Sequence, residues 1–573
     1  MKKIFILAAL SIAVFSGCKF WPFGGNVLPE AALLKDSQFV MAVDHSDGEQ
    51  VGNMKKLIGM LPDYGLGEQF ENDLFNEEDL KKDGLDYKED LLPILEGDWK
   101  ASVAIDLSKI DGGLGGGGIS VAFYTDEKSK MKNFLDKSKS KTFLYGNDGG
   151  LFVFGNTQAE VDGALGRLKD GTGFDSNENF KNASKNSKGN LGYIYLETGE
   201  GLKKFLGSLG ADEKAIADAE ERMKVIKNMY AEIVAKEDGF GFEGFGNLVE
   251  DKDIVTKNLP YSGKKLSLFN KVPLESPIFY WEMPEIGQYI GNFLAGFKMG
   301  LQGGTSDEPL DVQKGYDDFL AFVSEFAGVS KDEVIGILGS PFALAVGDSG
   351  EKYPTISFYF DVDEKYTGAA KKITASFDLY VDAIIGEFEG MIGAEGALKK
   401  DVNVVKGGGL NKLYVDFNAI PEEMFAGFNL IPGFDVKKMK IEIYYGLTGD
   451  NVFVVSLYPE FNKVYGENIV GKDKDVAEVL EKIGKDPFYA IFFSPEKLIN
   501  FVETNYYKTA KDYGVLSGDY DKYYGLVKDT MQILKYFVSS YSMPENDKIL
   551  FNAFLKFQER KGNEAMEKVK EGK

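Results

Sequence analysis

Two segments of this chain, residues 84–104 and residues 328–346, share one sequence pattern. In each copy an acceptor side chain, Asp86 or Ser330, stands three residues before a glutamate, a spacing that predicts a capping box at the start of a short helix. A glycine ends that helix, and an alternating apolar strand follows. A chain with this repeat is restricted to folds that use the same unit of structure twice.

The correspondence between the two halves extends beyond this block. Predicted strands recur in the same order, and each half has a hairpin pattern, at 142–154 and at 441–457, with a turn-forming triplet at its centre. We therefore predict an α+β fold of two sequence-related halves, in which antiparallel strand-rich sheets are covered by helices. The first repeat is expected at 28–249, a polar junction at 250–271, and the second repeat at 272–573 with an insertion near 381–423.

The first eighteen residues have the pattern of a bacterial lipoprotein signal. Lys2 and Lys3 precede an apolar run that is too short to span a membrane stably, and Phe15-Ser16-Gly17-Cys18 is similar to a lipobox. We predict a signal peptide at 1–17, lipidation of Cys18 and a tether at 18–27. The alternative is an ordinary secretory peptide with an incidental cysteine, and in both cases the chain is exported.

Composition limits the partners and the sources of stability. The net charge of −24 becomes −26 when residues 1–17 are removed, because that segment holds two lysines and no acid. An acidic surface repels phosphate backbones, so a nucleic acid is an unsuitable partner. Cys18 is the only cysteine, hence no internal disulfide can form, and stability has to come from buried area.

Several turn and strand residues are similar to a known family. They are Leu28-Pro29, Gly84-Leu85-Asp86, Pro93 and Gly97-Asp98-Trp99. The mature chain resembles the exported bacterial proteins that contain domain of unknown function 3352. This resemblance implies the fold and export, and it transfers no catalytic, cofactor-binding or metal-binding residues.

The candidates for nucleophilic catalysis have structural interpretations. His45 is the only histidine and follows a predicted strand end, where we interpret it as a loop residue. Ser138-Lys139-Ser140-Lys141 is a solvated lysine-rich segment. Ser494-Pro495-Glu496-Lys497 has serine at a helix N-cap and proline at the first helical position. We predict no catalytic residues and no cofactor.

The segments that could bind phosphate or a metal ion are interpreted as loops. The glycine run 112–118 leads into a strand and lacks the ending of a phosphate-binding loop, so we interpret it as a hairpin loop. Asp175-Ser176-Asn177-Glu178-Asn179 and Asp361-Val362-Asp363-Glu364 carry acceptors that suit calcium, although Phe180 stands where an EF-type loop needs glycine. Solvated loops are the favoured interpretation of both segments.

Three function classes remain. We favour a non-catalytic envelope lipoprotein that is held on the membrane by lipid on Cys18, at the outer face of the cytoplasmic membrane or at an outer membrane, and that binds an envelope protein or has a structural role. The alternative is a carrier of an apolar ligand in a cavity between sheets and helices. A hydrolase that uses two carboxylates is the third class.

Replacing the single cysteine tests the predicted anchor. Cys18→Ser should abolish incorporation of radiolabelled palmitate and leave the protein extractable without detergent, because the only thiol that can accept lipid is lost. Phe15→Leu, which brings the lipobox closer to the bacterial pattern, is the control and should be labelled like the natural protein. Persistent labelling of Cys18→Ser would contradict the prediction.

Overall fold

The structure is a computed structural model of the chain. It describes residues 28–60, 77–106, 118–138, 144–184, 189–198, 216, 224–251, 255, 266–273, 276–287, 312–348, 350–405, 409–425, 437, 439–458, 461, 470–482, 487–507, 511, 518–545 and 547–558. The chain divides into two compact units, Met1–Leu259 with Met543–Lys573, and Pro260–Ser542. Cys18 and most of the glycine run 112–118 lie outside the described residues. So do residues 199–215, where the sequence predicts the start of a helix near Gly201.

The first unit is built on an antiparallel sheet. Its strands are β1 (Phe39–Asp44), β2 (Trp99–Ile105), β3 (Ile119–Thr125), β4 (Leu144–Asp148), β5 (Leu151–Gly155), β6 (Gly192–Glu197), β7 (Ile226–Lys236) and β8 (Gly239–Leu248). They are hydrogen-bonded in the order β4-β5-β3-β2-β1-β6-β7-β8, and every pair is antiparallel.

Helices cover both faces of this sheet. They are α1 (Gly48–Met60), α2 (Glu77–Lys82), α3 (Leu92–Leu95), α4 (Lys128–Lys137), α5 (Gln158–Asp170) and α6 (Glu178–Ser184). On one face, α5, α6 and the 3-10 helix Pro29–Ala32 enclose a core around Val40 and Tyr195. On the other face, α3 and α4 pack on Trp99 and Phe123, and α1 packs against β7.

The second unit has a second antiparallel sheet. Its strands are β9 (Pro277–Met283), β10 (Phe342–Gly347), β11 (Thr355–Asp361), β12 (Leu398–Asp401), β13 (Leu410–Val415), β14 (Glu442–Leu447), β15 (Val452–Leu457), β16 (Pro487–Phe493) and β17 (Leu534–Glu545). The order is β12-β13-β14-β15-β11-β10-β9-β16-β17. The α+β class and the antiparallel sheets predicted from the sequence are confirmed.

Long helices cover one face of the second sheet. The helices of this unit are α7 (Val312–Ala327), α8 (Lys331–Leu338), α9 (Thr367–Ile392), α10 (Lys474–Lys482), α11 (Pro495–Val502) and α12 (Gly518–Ile533). The first three of these pack together over a core that includes Met283, Leu338, Phe342 and Leu447. No helix in the described part of the chain is both long and apolar enough to cross a membrane.

The two units share a strand order. If β12 and β13 are set aside, the order β14-β15-β11-β10-β9-β16-β17 corresponds, position by position, to β4-β5-β3-β2-β1-β6-β7. The two extra strands and the C-terminal part of α9 fall in the segment 381–423 that the sequence marks as an insertion. The common descent of the halves stays a prediction.

The last strand of the chain belongs to the second repeat by sequence, but to the first unit by its contacts. The sequence places 272–573 in one repeat, whereas residues 543–573 cluster with the first unit. The reason is the pairing of β18 (Lys548–Phe557), the counterpart of β8, which is antiparallel to β8 along its whole length. The boundary between Leu259 and Pro260 lies within the predicted junction.

The predicted capping box is confirmed at Ser330 and only partly formed at Asp86. Ser330 and Glu333 form both bonds of a capping box. Asp86 accepts from the backbone N–H groups of Lys88 and Glu89, but the carboxylate that returns to the N–H of Asp86 is that of Asp90. This helix begins with a π-helical turn over Tyr87–Leu91, and its wider turn brings the fourth following residue, not the third, back to the cap.

Both predicted hairpins are present. β4 and β5 join through Gly149, whose φ of +59° suits glycine. Gly149 is the last residue of the predicted turn triplet Asn147-Asp148-Gly149. β14 and β15 join through Asn451, whose φ is +60°. In β14, Gly446 has a φ of +132°, and a Cβ built there would lie 2.1 Å from the carbonyl oxygen of Gly409, so this strand requires glycine.

Candidate functional site

His45 lies in the loop that follows β1, as the sequence predicts, and its side chain is buried in the core. It follows β1 directly, but it is only 5% exposed, and its ring stacks on Trp99 with centroids 5.2 Å apart. Trp99 stacks in turn on Phe123. Nδ1 lies 3.2 Å from the carbonyl oxygen of Gly97, which assigns the proton to Nδ1. Among the described residues, Nε2 has no hydrogen-bond partner.

Burial dominates the electrostatics of His45. Desolvation lowers its pKa below the ordinary value of 6.5, against the backbone bond to Gly97, which raises it. The neighbouring carboxylate of Asp44 is held by Lys100 at 2.7 Å and by Ser46. The imidazole is therefore a neutral member of a three-ring stack with Trp99 and Phe123.

The side chains of Ser494 and Lys497 are both held by structural partners. The Ser494 hydroxyl donates to the carbonyl oxygen of Lys535 at 2.9 Å and accepts from the N–H of Lys497 as the N-cap of α11. The Lys497 ammonium pairs with Asp473 at 3.2 Å and with Asp475 at 3.6 Å. A charged lysine in two ion pairs cannot act as a general base for a serine. Ser138 caps the end of α4, and residues 139–141 lie outside the described part.

The acceptors of the first acidic segment are largely engaged in the fold. Asn177 caps α6 through the N–H of Phe180 and donates to the carbonyl oxygen of Lys35. Asn179 donates to the carboxylate of Glu197, and the Ser176 hydroxyl donates to a backbone carbonyl. Loop closure therefore explains these side chains better than calcium binding does.

The second acidic segment is held in the same way. Asp361 binds the Lys271 ammonium at 2.7 Å and accepts from the Ser267 hydroxyl, while Asp363 accepts from the N–H of Lys365 at the start of a 3-10 turn. Within the ranges that the structure describes, no group of three or more His, Cys, Asp or Glu side chains is arranged to hold a metal ion.

Each unit contains a buried carboxylate that the sequence analysis missed. Glu282 on β9 is fully buried and accepts from the backbone N–H groups of Ser267, Leu268 and Phe269 at 2.6–3.1 Å, and from the Tyr280 hydroxyl at 2.5 Å. Burial raises its pKa, and the four donors partly oppose this. The carboxylate thus attaches the 3-10 helix Leu268–Asn270 to the sheet.

In the first unit the buried carboxylate belongs to the 3-10 helix Pro29–Ala32, and its donors belong to the sheet. Glu30 is 5% exposed, and its Oε1 accepts from Ser102 on β2 at 2.9 Å and from Tyr193 on β6 at 2.7 Å. Both donors are in register with Ala42 of the intervening β1, whose small side chain leaves room for the carboxylate above it. Glu30 therefore bridges two strands.

A sequence signal for part of this arrangement exists. Tyrosine stands two residues before glutamate at Tyr195/Glu197, Tyr230/Glu232 and Tyr280/Glu282, and each hydroxyl donates to the glutamate of its pair. Residues two apart in a strand share a face, so the spacing alone predicts the contact.

A small apolar cavity lies between α3, α4 and the first sheet. It is lined by residues that include Ile94, Phe123, Met131, Phe134 and Phe154, and its volume is about 40 Å³. That space is close to the volume of one water molecule. This cavity cannot take a lipid or another apolar ligand of similar size.

An exposed aromatic cluster of the second unit lies on α7 and α9. Phe322 is 64% exposed and stacks on Phe326 with centroids 5.6 Å apart, and Phe326 meets Tyr380 edge-on at 5.9 Å. Tyr380 is 52% exposed, and the adjacent Leu379 is 72% exposed. We call Phe322, Phe326 and Tyr380 the aromatic patch. Exposed apolar clusters of this kind occur at binding surfaces.

Comparisons with known proteins give no assignment. No protein-family model and no curated protein matches the chain. Among the solved structures that match is one described as "Structure of crystal form I of TP0453", which is 8% identical, covers 41% of this chain and 87% of that chain, and has a TM-score of 0.22. A likeness at this TM-score carries no argument, and the resemblance to domain of unknown function 3352 stays a prediction.

The pH dependence of stability tests the place of His45. Because its folded pKa is lowered, the unfolded chain binds a proton that the folded chain does not once the pH falls below 6.5. The free energy of unfolding should then decrease, by at most about 1.4 kcal/mol per pH unit, until the folded pKa is reached.

The measurement compares urea unfolding at about pH 7.5 and about pH 5.5 for the natural chain and for His45→Phe, which keeps a ring in the stack. Carboxylates titrate alike in both proteins, and there is no other histidine. The natural chain should lose more stability on acidification than the variant does. Equal losses would show that His45 is not buried in a neutral form.

Proposed function

We propose that the protein is an exported, lipid-anchored envelope module that binds a partner protein and catalyses no reaction. The observation that carries this proposal is the aromatic patch, in which Phe322 and Tyr380 remain more than half exposed on two helices whose other sides pack on the core. Exposure of large aromatic side chains costs favourable burial, and binding interfaces use such residues as anchors.

The surroundings of the polar candidates support a binding role over a catalytic one. Ser494 serves a helix cap, Lys497 is in two ion pairs, and His45 is stacked in the core. Glu282 meets four donors that belong to its own chain. Each of these groups has a structural partner that a catalytic role would require it to exchange.

The anchor is part of the same proposal. Cys18 would carry lipid and hold the chain at the outer face of the cytoplasmic membrane or at an outer membrane. Leu28, where the described structure begins, is ten positions after Cys18, and an extended chain of that length spans at most about 35 Å. A partner of the folded units would therefore lie near the same membrane.

The proposal predicts the loss of a co-purifying protein. The full-length lipidated protein is extracted from its own envelope in mild detergent and weighed by native mass spectrometry, alongside Phe322→Ser/Tyr380→Ser. The natural protein should carry a protein partner in a fixed ratio, and the patch variant should lose it, with affinity reduced about tenfold or more because two anchoring rings are gone.

The matched control is the double variant Tyr523→Ser/Val527→Ser on α12. In the natural chain Tyr523 is 69% exposed and Val527 is 48% exposed. This variant should keep the partner. Retention of the partner by the patch variant would contradict the proposed surface. A bound lipid-sized mass in place of a protein would instead make the chain a carrier of an apolar ligand.

A further inference from the structure

The aromatic patch is accompanied by carboxylates. On α7, Asp318 stands four residues before Phe322 and Glu325 three residues after it, so all three lie on neighbouring positions of one helix surface, and both acids are exposed. On α9, Glu387 is exposed seven residues after Tyr380, which is two turns along the same side.

The two helices of the patch carry charges of one sign over a long stretch. From Asp317 to Ala327, α7 contains three acids and no base, and from Ile373 to Ile392, α9 contains four acids and no base. The nearest basic side chains on these helices are Lys314 and Lys372, each two or more turns from the patch rings. The chain as a whole has a net charge of −24.

Some of the acids on α9 already have partners within the fold. Lys400 pairs with Asp378 at 3.0 Å and with Asp382 at 2.6 Å, and Glu389 accepts from the N–H of Gly396. Asp318, Glu325 and Glu387 are exposed instead, and we call these three the acidic rim of the patch.

We propose that the aromatic patch and its acidic rim form a docking site for a cationic amphipathic segment of a partner protein, one that presents arginine or lysine beside apolar side chains. Aromatic faces attract guanidinium and ammonium groups, and exposed carboxylates at the edge favour the same charge. The apolar side chains of the segment would cover Phe322 and Tyr380. This inference rests on the proposed function, since it names the chemistry of the partner.

A membrane surface fits these observations less well. Bacterial envelope lipids are commonly anionic, and the acidic rim repels an anionic surface. A partner with basic side chains gains from both the rings and the rim. Vesicle binding is therefore an outcome that would overturn the proposal.

The test uses the purified full chain and an 18-residue helical peptide of leucine and arginine, with a leucine–glutamate peptide of the same pattern for comparison. The arginine peptide should bind and the glutamate peptide should not. Phe322→Ser/Tyr380→Ser should lower the affinity for the arginine peptide about tenfold or more. The rim variant Asp318→Asn/Glu325→Gln/Glu387→Gln should lower that affinity about threefold to tenfold and make it less dependent on salt concentration.

The control for non-specific charge attraction removes three exposed acids from the first unit, as Asp148→Asn/Asp162→Asn/Asp170→Asn. This variant has the same total charge as the rim variant and should bind the peptide like the natural chain. Equal weakening in both variants would show attraction by net charge alone and would overturn the site.

Two further outcomes separate this inference from the proposed function. If the natural partner is lost from the aromatic variant but is retained by the rim variant, the protein-binding function stands and the cationic partner is excluded. If neutral phosphatidylcholine vesicles bind the natural chain and not the aromatic variant, the surface recognises lipid, and the proposed docking of a protein segment is wrong.

Discussion

Both faces of each sheet carry apolar side chains, and this constraint determines most of the architecture. In the first unit, Val40 and Tyr195 face one layer of helices while Trp99 and Phe123 face another. A sheet with two apolar faces is stable only when both are covered. The helices between the strands, and the 3-10 turns that precede β1 and β9, supply these covers.

The buried carboxylates show how the covers are fixed in place. Glu30 and Glu282 lie against sheet positions occupied by alanines, Ala42 in the first unit and Ala343 with Ala490 in the second, which leave space for a polar group. Glu282 accepts hydrogen bonds from four donors. Oε1 of Glu30 accepts from two, while Oε2 of Glu30 has no partner among the described residues, which leaves part of the cost of burying that group uncompensated. The polar chemistry inside the two units therefore serves attachment of one element to another.

Local signals in the sequence predicted the strands, the hairpins and the cap at Ser330 because their causes are local. The π-helical start after Asp86 was not predictable, since turn width depends on packing. The pairing of β18 with β8 joins residues about 300 positions apart, and no local pattern encodes that choice. The Tyr-x-Glu spacing is a local signal for the hydroxyl–carboxylate contacts, because residues two apart in a strand share a face.

Composition alone could not predict the aromatic patch, because aromatic residues occur both in cores and at binding surfaces. A helical projection of α7 separates Phe322 from the core face. The apolar stripe of this helix is formed by Tyr316, Leu320, Val323 and Ala327, and Phe322 lies outside that stripe. Periodicity thus predicts that Phe322 is off the core face. It cannot predict that Tyr380, from a helix more than fifty residues later, lies beside the same ring pair.

Site-specific photocrosslinking in the living cell tests the central claim most directly. A benzoylphenylalanine at Ala383, exposed one turn after Tyr380 on α9, should give one discrete adduct with an envelope protein, and the same group at Val527 on α12 should not. The account predicts that the captured segment is rich in arginine or lysine beside apolar residues. Equal adducts at both positions, or none at Ala383, would contradict the claim that α7 and α9 present the binding surface.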